Sequence, residues 1–240
     1  MNILSIGNSF SQDAQRYLSR IAKSEGISMN TFNLYIGGCP LAKHFQNMNL
    51  DARAYTLEMN GESTGFYVSI KEALLNREWD IVTLQQVSHE SPDYDTYQPY
   101  LDKLAECVRM YAPKAKIAIH QTWGYEDGSE RLASMGYNSH ADMVADIEVA
   151  YNHAMASIKA DYLIPSGALI AKLVGYGVEK VHRDTFHLSL GLGRYAVALL
   201  WLRVLTGRNV EFNNFCDFDE DVSFEQSELV KRCVMEMTGR

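Results

Sequence analysis

The sequence has little of what marks several common protein classes. Its four cysteines, Cys39, Cys107, Cys216 and Cys233, form no C-x-x-C pair and have no histidine at zinc-finger spacing. No structural metal is therefore expected, and free thiols are the plain reading. No run approaches the roughly 18 apolar residues of a membrane span. The apolar stretch inside "MNILSIG" is shorter than the roughly 7–15 residues of a secretory h-region. As written, the chain is expected to be cytoplasmic, although one trimmed of a leader would read the same. Lysine and arginine are not clustered and the formal charge is -8, which excludes a nucleic-acid partner held mainly through phosphates. Neither G-x-x-x-x-G-K-[ST] nor G-x-G-x-x-G opens the first helix, and "GLG" at 191–193 lacks the preceding strand that a dinucleotide site requires.

What is present describes an ordinary α/β chain of 240 residues, 47% hydrophobic and 22% charged, with five prolines. One domain over residues 1–240 is the default at this length. Short apolar, partly β-branched runs recur at 2–6, 30–36, 79–85, 115–121 and 160–165. Between them lie "DAQRYLSRIAKSEG", "YVSIKEALLNREW", "YQPYLDKLAECVRMYAP" and "ADMVADIEVAYNHAMASIKA", whose apolar positions recur every three or four residues. This alternation predicts a three-layer α/β/α sandwich, flavodoxin-like, around a five-stranded parallel sheet.

Two long loops, 37–66 and 122–140, follow strand ends, where the ligand crevice of an open parallel sheet forms. They are expected to supply a substrate wall. The tail 206–240 is expected to pack as a C-terminal appendage.

The first strand ends in the polar knot "GNSFS". A serine there, Ser9, lies at the carboxyl edge of the sheet and at a helix start, where free N–H groups and the helix dipole stabilise a developing oxyanion. The same stretch, "SFSQ", also matches an S-x-x-Q capping box, and taken alone it favours capping. A nucleophilic serine needs a base and the base an orienter. Of seven histidines, only His187 stands in a telling context, three residues after Asp184 and just before a strongly apolar helix. Isolated D-x-x-H patterns are short and common, so taken alone the pair favours merely shaping the entry to that helix.

Four blocks in order, "IGNSFS", "YIGGCPL", "LQQVSHES" and "DTFHLS", each at a strand end or before the last helix, resemble the SGNH (GDSL-type) hydrolases, and more narrowly a bacterial branch of that superfamily. The resemblance spans about residues 1–205. It implies Ser9 as nucleophile, His187 as general base and Asp184 as orienter, with the Ser9 and Gly38 amides as oxyanion donors. Gly37 takes the second place if the register shifts by one. The third block departs from the family's G-x-N-D pattern, and no asparagine stands there. A glutamine amide offers the same N–H on a longer arm, and some carbohydrate acetylesterases of the superfamily similarly carry a "Q-G-E" block. Gln85 is therefore the expected third donor, with Gln86 as its alternative; both could instead simply end a strand.

Trp123 and Tyr125 follow the fourth strand and could offer a flat wall to a sugar ring or acyl group. His89 and Glu90 read as solvated loop residues and His120 as a satisfied core histidine, and His44, His120 and His140 show no metal spacing. The resemblance implies a serine ester hydrolase that removes small acyl groups, chiefly acetyl, from a small-molecule or carbohydrate ester, with no metal or organic cofactor. A non-catalytic carbohydrate-binding module on the same fold, or a lipase or thioesterase-type esterase, is the alternative.

Overall fold

The computed structural model describes residues 1–239. Each expected apolar run becomes a strand: β1 (Asn2–Gly7), β2 (Asn30–Tyr35) and, after the hairpin strands β3 (Tyr55–Met59) and β4 (Glu62–Val68), β5 (Ile81–Leu84), β6 (Lys116–His120) and β7 (Tyr162–Ile164). These five pair in parallel in the order β2-β1-β5-β6-β7. Strands buried on both faces need no polar alternation, which is why they read as near-continuous apolar runs. Helices cover both faces. On one lie α1 (Ser9–Gln15), α2 (Leu18–Ser24), α8 (Ser166–Gly175), α9 (Leu192–Thr206) and α10 (Phe224–Thr238). On the other lie α3 (Leu41–Asn49), α4 (Ile70–Asn76), α5 (Tyr100–Tyr111) and α7 (His140–Ile158). The expected α/β/α sandwich is the observed one.

Segment 37–66 departs from the expected loop. It carries α3 and most of an antiparallel hairpin, β3 (Tyr55–Met59) and β4 (Glu62–Val68), which adds two strands beyond β2 and makes the sheet seven-stranded. The turn is Asn60-Gly61, with φ of 53° and 82°. Two consecutive positive φ values define a type I′ turn, for which Asn-Gly is the preferred pair. An added Cβ at Gly61 would stand 2.6 Å from the Arg16 carbonyl oxygen, so the turn also packs closely on the end of α1. The second long loop, 122–140, contains one short helix, α6 (Glu130–Ser134).

The tail is built into the core rather than hung on it. In α9, Tyr195 through Leu202 are all buried, and a helix apolar all round must be covered on every side. Helix α10 supplies the outer cover, burying Val230, Cys233 and Val234 in the same cluster as α9. Helix α10 thus completes a layer of the fold.

Candidate active site

The polar knot resolves into a cap and a free serine. Asn8, not Ser9, is the N-cap of α1: its Oδ1 accepts from the Phe10 amide at 3.0 Å, and Ser11 Oγ accepts from the Asn8 amide at 3.0 Å. An added Cβ at Gly7 would meet Ser11 Oγ at 2.1 Å, so this reciprocal cap requires glycine there. With capping assigned one residue earlier, the Ser9 hydroxyl is left half-buried and unspent, between the buried Asn8 and Phe10.

The structure brings Ser9, His187 and Asp184 together across the fold. Ser9 Oγ lies 2.9 Å from His187 Nε2, and His187 Nδ1 donates to Asp184 Oδ2 at 2.8 Å. Because an ionised carboxylate only accepts, the ring proton sits on Nδ1, which leaves Nε2 to accept from the serine hydroxyl. Asp184 Oδ1 also accepts the His187 backbone amide at 2.8 Å, so one carboxylate fixes both ring and main chain. Burial works to raise the Asp184 carboxyl, but these two bonds from His187 together with the nearby charges of His187 and Arg183 outweigh it and hold the group below its ordinary value. A hydroxyl, imidazole and carboxylate in this order can pass a proton from oxygen to nitrogen while the resulting imidazolium is steadied.

Polar side chains tie the strand ends beside Ser9 into one line. Asn8 Nδ2 donates to the Cys39 carbonyl at 3.2 Å, drawing in the 36–39 turn after β2. Gln85 Nε2 donates to Asn8 Oδ1 at 2.8 Å, and His120 Nδ1 donates to Gln85 Oε1 at 2.7 Å. The chain of bonds thus runs across the ends of β2, β1, β5 and β6. Burial lowers the His120 pKa to about 3, so the imidazole stays neutral. Its Nδ1–H orients the Gln85 carboxamide and turns the NH2 toward Asn8.

The adjacent Gln86 has a different employment. Its Oε1 accepts the Leu41 and Val87 amides at 2.9 Å each, and its Nε2 donates to the Thr96 carbonyl and hydroxyl oxygens at 3.2 and 3.1 Å. Both ends are consumed in holding backbone, whereas Gln85 keeps one N–H not engaged by Asn8. Among the described residues, the Ser9 and Gly38 amides take no hydrogen-bond partner. Gly38 is exposed with φ of 62° and has open space where a Cβ would stand; Gly37 is crowded by the Tyr35 hydroxyl, 3.2 Å from its Cβ position.

Trp123 and Tyr125 do not form a wall. Their exposures are 0% and 1%, because the chain leaving β6 runs beneath the 182–188 loop instead of along the rim. Trp123 stacks on Phe10 with ring centroids 4.0 Å apart and donates its indole N–H to the Phe186 carbonyl at 2.7 Å. Tyr125 shares a hydrogen bond with Ser88 Oγ at 2.9 Å. The aromatic against the candidate base is Phe186, whose ring lies 3.8 Å from that of His187. His89 is half-exposed beside Glu90; His44 is buried against Tyr55 and Cys39; His140 meets the Tyr125 carbonyl. No three His, Cys, Asp or Glu side chains cluster as metal ligands among the described residues.

Sequence reasoning missed the roles of Asn8 and His120. Asn8 carries a recognisable signal, since asparagine is as good an N-cap as serine and Ser11 stands three residues on. His120 carries none without the register: Leu84 pairs with Ile119, which brings the next residues, Gln85 and His120, side by side.

A structure from Bacteroides uniformis, described as a DUF4886 family protein, superposes with a TM-score of 0.92 at 32% identity, covering 98% of this chain and 93% of its own. A Slackia heliotrinireducens protein assigned to the SGNH hydrolases gives 0.63 at 24% identity, covering 85% and 98%. The Clostridium thermocellum family 3 carbohydrate esterase gives 0.52 at 12% identity, covering 86% and 96%. The fold is that of the SGNH hydrolases, whose members among these neighbours are hydrolases and esterases. No curated protein sequence matches. The family model described as "Domain of unknown function (DUF4886)" matches residues 2–236, and the chain belongs to that family.

Proposed function

We propose that this protein is a serine ester hydrolase that removes small acyl groups, chiefly acetyl, from carbohydrates. The observation that carries the reading is the unbroken line from the Ser9 hydroxyl through His187 to Asp184. Ser9 Oγ attacks the ester carbonyl as its proton passes to His187 Nε2, while Asp184 keeps the Nδ1–H and steadies the imidazolium. The tetrahedral oxyanion is met by the Ser9 and Gly38 amides and by the free N–H of Gln85, donors already fixed before reaction. His187 then returns its proton to the departing alcohol oxygen. Water, giving its proton to His187, attacks the acyl-Ser9 carbonyl and releases the acid, and the hydroxyl is restored.

The preference for small acyl groups is supported by the closeness of Phe186 to His187 and by the use of segment 37–66 in a helix and a sheet hairpin rather than a long apolar lid. A carbohydrate alcohol is supported by the Gln85 carboxamide in place of asparagine and by the fold shared with a carbohydrate esterase. The test is mass spectrometry of wild type and Ser9→Ala after fluorophosphonate treatment, with acid release followed on a panel of matched sugar esters. A single adduct at Ser9, absent in the variant, with acetate released in preference to longer acids is the expected outcome. No adduct and no acid release would replace the enzyme by a carbohydrate-binding module; preference for long chains would replace the acetyl substrate.

A further inference from the structure

We propose that Asp13 is a positioning residue that sets the Ser9–His187 separation by clamping the loop that carries His187 to the helix that carries Ser9. Asp13 stands four residues after Ser9 on α1, so the two share a helix face. Its carboxylate is 0% exposed. A buried carboxylate persists only when its charge and lone pairs are met, and here every partner belongs to the loop or to the helix that follows it. Arg183 Nη1 donates to both oxygens at 3.0 Å, Arg194 Nε donates to Oδ1 at 2.8 Å, and the Leu188 amide donates to Oδ2 at 3.1 Å.

Arg183 and Leu188 flank the Asp184–His187 segment. They also close it on itself: His182 bridges Leu188, the Arg183 amide donates to the His187 carbonyl at 2.9 Å, and Arg183 Nη1 donates to the Leu188 carbonyl. The segment is therefore a small closed loop whose neck is pinned at one carboxylate. Arg194 reaches on to Asp219 Oδ2 at 3.3 Å, and Arg16, at the end of α1, pairs with the same carboxylate at 2.6 Å. The C-terminal segment thereby braces α1 against the start of α9. Asp184 orients the imidazole ring, whereas Asp13 places the whole loop that bears it.

The inference rests on Ser9 as nucleophile, and its test separates the two. Asp13→Asn keeps the shape and an acceptor for Leu188 but removes the charge that holds two guanidinium groups. A displacement on the order of 1 Å can cost about 10²-fold in rate, so kcat is expected to fall by about that factor with KM nearly unchanged. The low-field proton signal of His187 Nδ1–H should broaden or shift, although Asp184 is untouched. Arg183→Gln, a milder change at a part-exposed side chain, should show the same pattern at smaller size. The double variant should lose less than the product of the two single losses, because both break one contact. Ser69→Ala, which removes the cap of the distant α4, is the stability control and should leave kcat and the His187 signal as in wild type. If folded Asp13→Asn keeps kcat within twofold of wild type, or loses efficiency through KM alone, the clamp is refuted. If wild type takes no phosphonate adduct while Asp13→Asn still shifts the His187 signal, the clamp stands and the esterase reading fails.

Discussion

The two sides of the site are built from different materials. On the sheet side, Asn8, Gln85 and His120 form a line of neutral dipoles, all buried, with Gln85 hydrogen-bonded to the other two. On the loop side, His187 is held by charges: Asp184, half-exposed, and beneath the loop the Asp13 cluster with Arg183 and Arg194. A group that receives a transient oxyanion works best as a fixed dipole carrying no charge of its own to be neutralised. One that takes up a proton needs an anion nearby to steady the cation it becomes. The division predicts that lesions on the loop side act mainly through proton transfer, and those on the sheet side through both transition-state stabilisation and folding.

The largest effect should come from the groups at the join. Ser9→Ala and His187→Ala should each lower kcat by about 10⁶-fold, the scale for removing a triad nucleophile or base, measured on acetylated sugar esters with folding checked by circular dichroism. Asp184→Ala should be milder, about 10⁴-fold. A loss equal to that of His187→Ala would mean that the carboxylate is part of the chemistry rather than its support.

Adjacent glutamines then test the sheet side. Gln85→Ala is expected to cost about 10²–10³-fold in kcat, the loss on removing one oxyanion donor, and also some stability, since it strands the His120 N–H and takes one of two donors from Asn8 Oδ1. Gln86→Ala should leave kcat close to wild type yet lower stability by about 1–3 kcal/mol for each buried backbone group left unpaired, read from urea midpoints. Equal rate losses in the two variants would erase the distinction drawn between them.

The last expected effect, on stability and not on rate, is a pH dependence that belongs to the buried imidazoles His44, His120 and His182. Burial lowers His44 and His120 to about 3, and burial with the neighbouring His140 lowers His182 to about 4. Each is neutral in the folded protein, whereas in the unfolded chain histidine takes up a proton near 6.5. The unfolded state thus binds more protons between these values. The stability due to these groups is complete above about pH 6.5 and is lost as pH falls toward 4, by about 1 kcal/mol per group per pH unit. Glu58, raised by burial despite hydrogen bonds from Asn33 and Gln12, opposes the trend. Thermal midpoints should fall between pH 6.5 and 4.5, and His44→Asn should flatten the fall; an unchanged slope would remove His44 from the account.

The five parallel strands and most helices were legible because each declares itself locally, through a continuous apolar run or a three-to-four repeat. The hairpin was equally legible in principle, since Asn60-Gly61 is a strong turn pair, but the polar residues around it disguise a strand whose outer face meets water. The position of Ser9 at the strand end was legible, while the cap was read one residue late: Ser9-Gln12 matches the S-x-x-Q box, whereas the observed reciprocal cap is Asn8 with Ser11, which that pattern does not include.

Residue order by itself determined the alternation of strands and helices, the placement of Ser9 at a strand end, and the pairing of Asp184 with His187, because all three depend on contacts only a few positions apart. Tertiary structure decided the rest. It brought His187 to Ser9 across 178 positions and gave the adjacent Gln85 and Gln86 different partners. It also buried Trp123 and Tyr125 beneath the loop, turned the tail into a cover for α9, and gave Asp13 its two arginines. Such contacts join elements far apart in the chain, and their energies depend on packing and desolvation that no local pattern records.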